Sequence, residues 1–293
     1  MENQQFDLGM IGLGVMGRNL LLNMADHGFK VIGYNRSQEK LDVLKADASP
    51  GTVVDGVTTL EGLLQKLKPP RRIMLLVPAG DAVDEVISSL VPILDKGDII
   101  IDGGNSHYKD TLRRNTELKE QGFYFIGVGV SGGEEGARTG PSIMPGGDEE
   151  AYGFIKPILE AVAAKVGDVP CVAYLGKHAA GHYVKMVHNG IEYGIMQLIS
   201  EAYDLLHDGL GLNNDELAEL FDSWDKGDMT SYLIEITADI FTYEDDKTNN
   251  RLVDMILDKA GAKGTGKWTS QDAIDLPVPI PTIDMAVTLR NIS

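Results

Sequence analysis

Cysteine is nearly absent from this chain. Cys171 is the only one in 293 residues, so no disulfide can form within the chain, which fits a reducing cytoplasm. Basic charge is scarce as well: 26 Lys and Arg stand against 44 Asp and Glu, a net charge of −18. So acidic a surface has no electrostatic footprint for nucleic acid and is repelled by an anionic membrane. No apolar run of about 18 residues occurs, so no membrane-spanning helix is expected. The opening Met1-Glu-Asn-Gln-Gln is polar, with no basic flank and no apolar stretch behind it, and does not read as a signal peptide. Internal repeats and low-complexity segments are missing. His182 could ligate a metal, but no His, Cys and carboxylate set has metal-ligand spacing, so no metal is expected. No Ser/His/Asp arrangement for nucleophilic catalysis stands out. What remains is an ordinary globular composition, 43% hydrophobic and 24% charged, in a chain long enough for two domains.

Two rhythms divide it. From residue 7 to about 175, short apolar runs alternate with amphipathic segments. Asp7–Ile11, Val31–Tyr34, Ile73–Val77, Ile99–Asp102 and Phe123–Val130 read as strands. Met16–His27, Gln38–Ala46, Leu60–Leu67, Ala82–Leu90 and Lys109–Glu120 carry helical spacing. Such alternation implies a doubly wound α/β domain, with a parallel sheet covered on both faces and ligands at the carboxyl ends of its strands. From Gly176 the strand signal disappears. Gly181–Leu206, Asn214–Trp224 with Asn214 as cap, Tyr232–Phe241, Leu252–Ala260 and a segment after Pro281 read as helices. The expected organisation is a sheet domain over residues 1–177 and an all-α domain over 178–293.

Gly12-Leu13-Gly14-Val15-Met16-Gly17 follows directly on the first strand and opens a helix. In that context the glycines permit a tight turn, close approach to a pyrophosphate and close helix–strand packing, while the helix N-terminus supplies free N–H groups. At the end of the second strand, where NAD enzymes place an acid on the ribose 2′-hydroxyl, the chain reads Asn35-Arg36-Ser37. An arginine fork with two polar neighbours suits a 2′-phosphate, so the residues favour NADP over NAD.

Two further loops end strands at the same edge. In Asp102-Gly-Gly-Asn105-Ser106, Asn105 could reach a nicotinamide or a substrate hydroxyl, and the glycines of Val130-Ser131-Gly132-Gly133-Glu-Glu-Gly136 would let backbone N–H groups approach an anion. Beyond them, Lys185, His188, Asn189 and Glu192 sit at i, i+3, i+4 and i+7. In a helix that spacing gathers an ammonium, an imidazole, an amide and a carboxylate on one stripe about 10 Å long. Lysine there is a tunable base and glutamate an acid. Lys263-Gly-Thr265-Gly-Lys267-Trp-Thr269 reads as a basic glycine-rich loop able to hold a phosphate, although it fails the spacing of a nucleotide P-loop.

With these segments in view, together with Gly140-Pro-Ser-Ile-Met-Pro-Gly-Gly147, the chain resembles the decarboxylating 6-phosphogluconate dehydrogenases in their long NADP-dependent form. The resemblance covers essentially the whole chain. It implies a Rossmann-like sheet domain joined to a helical substrate and dimerisation domain. Gly12 to Gly17 would hold the pyrophosphate, Asn35, Arg36 and Ser37 the 2′-phosphate, and Val77, Pro78 and Ala79 the remaining cofactor wall. Asn105 would touch cofactor and substrate. Ser131, Gly132, Gly133, His188, Asn189 and Tyr193 would bind substrate, with Lys263 and Arg290 on its phosphate. Lys185 would be the base and Glu192 the acid. The implied reaction is oxidative decarboxylation of 6-phosphogluconate to ribulose 5-phosphate and CO2 with reduction of NADP, in the cytoplasm, by a homodimer.

Family members run well beyond this length, to a tail that reaches the partner subunit's active site, so the chain reads as truncated at Ser293. Two other readings stay open. One is a different β-hydroxyacid dehydrogenase acting on a smaller, non-phosphorylated acid, and the other is an NADP-binding fragment without catalysis.

Overall fold

The computed structural model describes residues 5–293; the opening residues 1–4, read above as polar and not a signal, lie outside the described residues. The chain divides into two compact units, one running to Met186 and the other from Val187 to Ser293.

The first unit is built on a seven-stranded sheet. Its elements run β1 (Leu8–Ile11), α1 (Val15–Asp26), β2 (Val31–Tyr34), α2 (Gln38–Ala46), β3 (Val54–Val57), α3 (Leu60–Lys66), β4 (Arg72–Leu75), α4 (Asp81–Leu90), β5 (Ile99–Asp102), α5 (Tyr108–Glu120), β6 (Tyr124–Ser131), α6 (Gly133–Thr139), β7 (Ser142–Gly147) and α7 (Glu149–Val162). A small hairpin of β8 (Lys165–Val166) and β9 (Val169–Pro170) follows, and then α8 (Ala180–Asp204), whose residues up to Met186 belong to this unit. The strand order is β3-β2-β1-β4-β5-β6-β7. The order reverses between β1 and β4, where a doubly wound sheet opens its ligand crevice.

The central strands are apolar without alternation because helices cover both faces. Residues 99–102 of β5 are buried throughout. Leu20, Met24, Leu41, Leu44 and Ile158 pack in one layer, and Ile32, Leu63, Leu75, Val83 and Ile87 in the other. Each such side chain contributes about 1.5–3 kcal/mol through removal from water.

Several elements differ from the sequence reading. β1 to β6 are parallel, but β7 pairs antiparallel with β6, from Ser131 opposite Ser142 to Ile126 opposite Gly147. The outer edge of β7 is paired in turn by residues 171–176. Ile143 donates to the Cys171 carbonyl at 2.9 Å, Leu175 to that of Pro145 at 2.9 Å, and Gly147 to that of Gly176 at 3.0 Å. The Val130–Gly136 segment, expected to be a glycine loop, is strand up to Ser131 and helix from Gly133, with only Gly132 between.

The second unit is helical, with α8 beyond Met186, α9 (Asn214–Asp225), α10 (Tyr232–Thr242), α11 (Thr265–Asp275) and α12 (Pro281–Ile292). Its core gathers Leu217, Phe221, Ile234 and Phe241, with Tyr203 and Trp224 against them. The cap of α9 is Asn213 rather than Asn214. Asn213 Oδ1 accepts from the Asp215 and Glu216 amides at 3.0 Å, and Glu216 reaches back to the Asn213 amide. The expected helix over 252–260 is a 3-10 turn at Leu252–Met255 followed by irregular chain. Lys263–Thr269 is a loop only as far as Gly264, whose φ of +97° lets α11 begin at Thr265. Among the described residues no helix is long and apolar enough to cross a membrane.

Candidate functional site

In the sheet unit, the sequence-derived candidates fall at the carboxyl ends of parallel strands. The Gly12–Gly17 turn links β1 to α1, and Asn35–Ser37 links β2 to α2. Val77–Ala79 lies between β4 and α4, Asn105 between β5 and α5, and Ser131–Gly133 joins β6 to α6. Neighbouring loops touch. A Cβ at Gly12, whose φ is +98°, would strike the Leu76 carbonyl. One at Gly104 would come within 3.2 Å of the Val77 carbonyl oxygen. By contrast, a Cβ at Gly14 would meet nothing within 4 Å.

Gly14 is also the residue preceding α1. It offers no side-chain cap, and the first turn of α1 holds no acid. The helix therefore presents uncapped N–H groups and its positive end beside an open glycine backbone, the donor set that a pyrophosphate requires. Leu13 is buried beneath this turn and Val15 is exposed. At the end of β2, Asn35 Oδ1 accepts from the Ser37 amide at 2.9 Å, which shapes the turn, and Arg36 is exposed. No carboxylate stands in Asn35-Arg36-Ser37 to repel a 2′-phosphate. These residues fit an NADP molecule.

The β5 loop is held from below. Asp102 is buried, and its carboxylate accepts from the Gly104 amide at 3.0 Å and from Ser106 Oγ at 2.6 Å. Asn105 is the exposed member of this otherwise buried loop. His182, on the first turn of α8, is buried with its Nδ1 2.6 Å from Thr111 Oγ1. Burial pushes its imidazole below the ordinary histidine range, against the opposing pull of Asp102. It is a packing histidine of the sheet unit, and among the described residues no cluster of three or more His, Cys, Asp or Glu could hold a metal.

Lys185 follows one turn later and is 7% exposed. Its stem lies over β6, where a Cβ on Gly129 would sit 2.5 Å from Lys185 Cβ and 2.9 Å from its Cγ. Gly127, two residues earlier on the same face of the strand, receives His182 in the same way. Sequence reading passed over both glycines. Their signal was the Gly-Val-Gly alternation inside an apolar strand, which marks close approach of another element.

In the helical unit a second group forms. His188 Nδ1 lies 3.1 Å from Asn189 Oδ1 and 3.4 Å from Glu192 Oε2. Asn189 Nδ2 donates to Thr265 Oγ1 at 3.2 Å, tying α8 to the start of α11. The Arg290 guanidinium stacks 3.8 Å from the Tyr193 ring centroid and donates to the Gly261 carbonyl at 2.6 Å. Lys263 is exposed, two residues before α11. The candidates His188, Asn189, Glu192, Tyr193 and Arg290 thus share one neighbourhood with Thr265, which opens α11 rather than lying in a glycine-rich loop.

The strand order, the glycine turn at its switch point and the uncapped helix behind it define a dinucleotide-binding protein of the doubly wound class. Two family models divide the chain between them. The NAD binding domain of 6-phosphogluconate dehydrogenase matches residues 7–176, and the 6-phosphogluconate dehydrogenase C-terminal domain matches residues 181–293. The chain belongs to the 6-phosphogluconate dehydrogenase family.

It is 59% identical over 293 residues to the NADP(+)-dependent, decarboxylating 6-phosphogluconate dehydrogenase of Bacillus subtilis, covering 100% of this chain and 62% of that protein. With a decarboxylating 6-phosphogluconate dehydrogenase of Saccharomyces cerevisiae it shares 55% over 287 residues, 98% of this chain and 58% of the relative. The chain thus spans about three fifths of the curated relatives it matches. A solved 6-phosphogluconate dehydrogenase from Plasmodium falciparum, described in apo form and in complexes with NADP+ and with 6-phosphogluconate, superposes with a TM-score of 0.93 at 52% identity. That match covers 97% of this chain and 61% of the other. A 3-hydroxyisobutyrate dehydrogenase from Mycobacterium tuberculosis shares the fold at a TM-score of 0.73 and 18% identity, over 98% of this chain and 93% of the other.

Proposed function

We propose that this chain carries the cofactor-binding and catalytic residues of an NADP-dependent, decarboxylating 6-phosphogluconate dehydrogenase. The observation that carries the reading is Lys185. This lysine of α8 is 7% exposed and packs onto β6 where Gly129 leaves room for its stem, in the same unit as the dinucleotide turn. A lysine held in one place beside the cofactor turn is positioned to take a proton from a bound hydroxyl, as a general base requires.

Gly12, Leu13, Gly14, Val15, Met16 and Gly17 hold the pyrophosphate, Asn35, Arg36 and Ser37 the 2′-phosphate, and Val77, Pro78 and Ala79 the cofactor wall. NADP held by these residues would supply the hydride acceptor for the oxidation at C3 of the substrate. Lys185 Nζ takes the proton of the C3 hydroxyl, and Asn105 orients that hydroxyl. The resulting 3-keto acid loses its carboxylate as CO2 because the ketone accepts the electron pair. Protonated Lys185 then donates to the forming enol oxygen, and as Glu192 protonates C1 the enol proton returns to Lys185, leaving ribulose 5-phosphate. Ser131, Gly132, Gly133, His188, Asn189 and Tyr193 bind the sugar acid, with Lys263 and Arg290 on its phosphate. The cofactor domain is then residues 1–177 and the substrate and dimerisation domain 178–293, with the start of α8 up to Met186, Lys185 included, belonging to the compact sheet unit. The enzyme acts in the cytoplasm as a homodimer, for which Ile191, Ile195, Leu198 and Leu205, all exposed, supply apolar surface.

The test is NADPH formation and CO2 release from 6-phosphogluconate, by this chain and by a counterpart spanning the full length of its relatives. Turnover of 3-hydroxyisobutyrate in preference to 6-phosphogluconate would overturn the assignment. A second reading follows from the three-fifths coverage: the chain alone binds NADP without turnover, and tight NADP binding with no ribulose 5-phosphate formed would select it.

A further inference from the structure

Arg114 is the most deeply buried cation among the described residues, 1% exposed in the middle of α5. Its fork is used on every side. Nε and Nη2 donate to the two oxygens of Asp84 on α4, each at 2.8 Å. Nη2 also donates to the Gly80 carbonyl at 3.0 Å, at the end of the loop that carries Val77, Pro78 and Ala79. Nη1 reaches Ser106 Oγ at 3.3 Å and lies 3.6 Å from Asp102 Oδ2, in the loop that presents Asn105. Ser106 passes the chain on by donating to Asp102 at 2.6 Å.

A buried ion pair is weak evidence for stability, because desolvation offsets much of the attraction. What this arrangement supplies is geometry. One planar guanidinium spans two loops with donors set at fixed angles, which a flexible lysine ammonium cannot reproduce. The two loops follow β4 and β5, on the far side of the switch point from β2. In a sheet of this order the adenosine half of a dinucleotide lies toward β2 and the nicotinamide half over β4 and β5.

We infer that Arg114 is a positioning residue for the nicotinamide half of the cofactor: it clamps the Leu76–Gly80 loop against the Asp102–Ser106 loop and so fixes the floor on which the reacting ring rests. The inference rests on the proposed NADP-dependent reading. Arg114 itself touches no reacting atom; it acts through Gly80, Ser106 and Asp102.

The experiment compares two ligands on the same protein by calorimetry, NADPH and 2′,5′-ADP, the second lacking the nicotinamide half. In Arg114→Lys, NADPH binding should weaken by about tenfold while 2′,5′-ADP stays within about twofold. Circular dichroism and thermal unfolding report whether the fold is retained. Ser106→Ala, which removes the Arg114–Ser106 and Ser106–Asp102 hydrogen bonds and leaves the Arg114–Asp84 and Arg114–Asp102 pairs, should show a smaller loss of the same selectivity and carries the decision if Arg114→Lys does not fold. Equal weakening of both ligands, or no weakening of NADPH, overturns the inference. If the unsubstituted chain binds neither ligand, the NADP-dependent reading fails and the clamp's assignment fails with it.

Discussion

Gly129 and Lys185 lie so close across β6 and α8 that a Cβ on the glycine would sit 2.5 Å from the Cβ of the lysine. An added methyl must therefore move the lysine, the helix or the strand. Gly129→Ala should destabilise the sheet unit by about 1–3 kcal/mol through overpacking, read by urea unfolding. It should also lower turnover by shifting Lys185. A variant as stable and as active as the unsubstituted protein would show that the close approach carries no functional weight.

Lys185→Met keeps the length of the stem and removes the base. Turnover of 6-phosphogluconate should fall by about a hundred- to ten-thousand-fold, while NADPH binding measured by calorimetry stays within about twofold because the pyrophosphate turn is untouched. Near-normal turnover would remove Lys185 from the base role.

The end of β2 sets cofactor choice in this reading. Asn35→Asp places a carboxylate where a 2′-phosphate would sit and should lower the NADP-to-NAD affinity ratio by about tenfold or more. Titrating both nucleotides into the variant is the check, and an unchanged ratio would place 2′-phosphate recognition elsewhere.

Asp84 gives a pH dependence. Hydrogen bonds from Arg114, and then from Arg113, hold its carboxyl at about 2, well below the ordinary range, despite opposing desolvation. A depressed carboxylate contributes stability that is complete above its unfolded value near about 4 and is lost as pH falls toward 2. Urea midpoints should therefore drop between pH 5 and pH 3, and drop less in Asp84→Asn. Parallel curves for the two proteins would refute the linkage.

Phe221 is fully buried in the helical unit's own core, against Leu217, Ile234 and Phe241. Phe221→Ala should cost about 3–5 kcal/mol, seen in the far-ultraviolet unfolding curve, with the sheet unit's affinity for 2′,5′-ADP unchanged. Loss of nucleotide binding in step with the helical unit would show that the two units unfold together.

The parts of the fold that were legible in the sequence are those in which local signals agree. β1, the glycine turn and α1 announce themselves because an apolar run, three spaced glycines and a helical pattern meet in order. β3 escaped because Val54-Asp-Gly-Val57 is short and half polar, as suits a strand at the sheet's edge. β7 escaped because Pro145, Gly146 and Gly147 argue against a strand, yet antiparallel pairing with β6 and the 171–176 segment orders it. α11 was hidden by Gly264 and Gly266, which read as a loop. Candidates such as Lys185 and Asn105 were legible from motif and spacing. Arg114, Gly129 and His182 were not, because their roles depend on which elements the topology packs together.

The paired outer side of β7 also bears on how this protein behaves in a crowded solution. A sheet grows by offering free backbone groups to an incoming strand, and on that flank residues 171–176 already occupy them. The opposite flank, β3, is four residues long, with Asp55 bound between Lys45 at 2.8 Å and Lys66 at 2.5 Å. Charged and abbreviated, it makes a poor template. Neither β7 nor β3 therefore presents a long free strand edge for a foreign chain to continue, which disfavours edge-to-edge β-aggregation there.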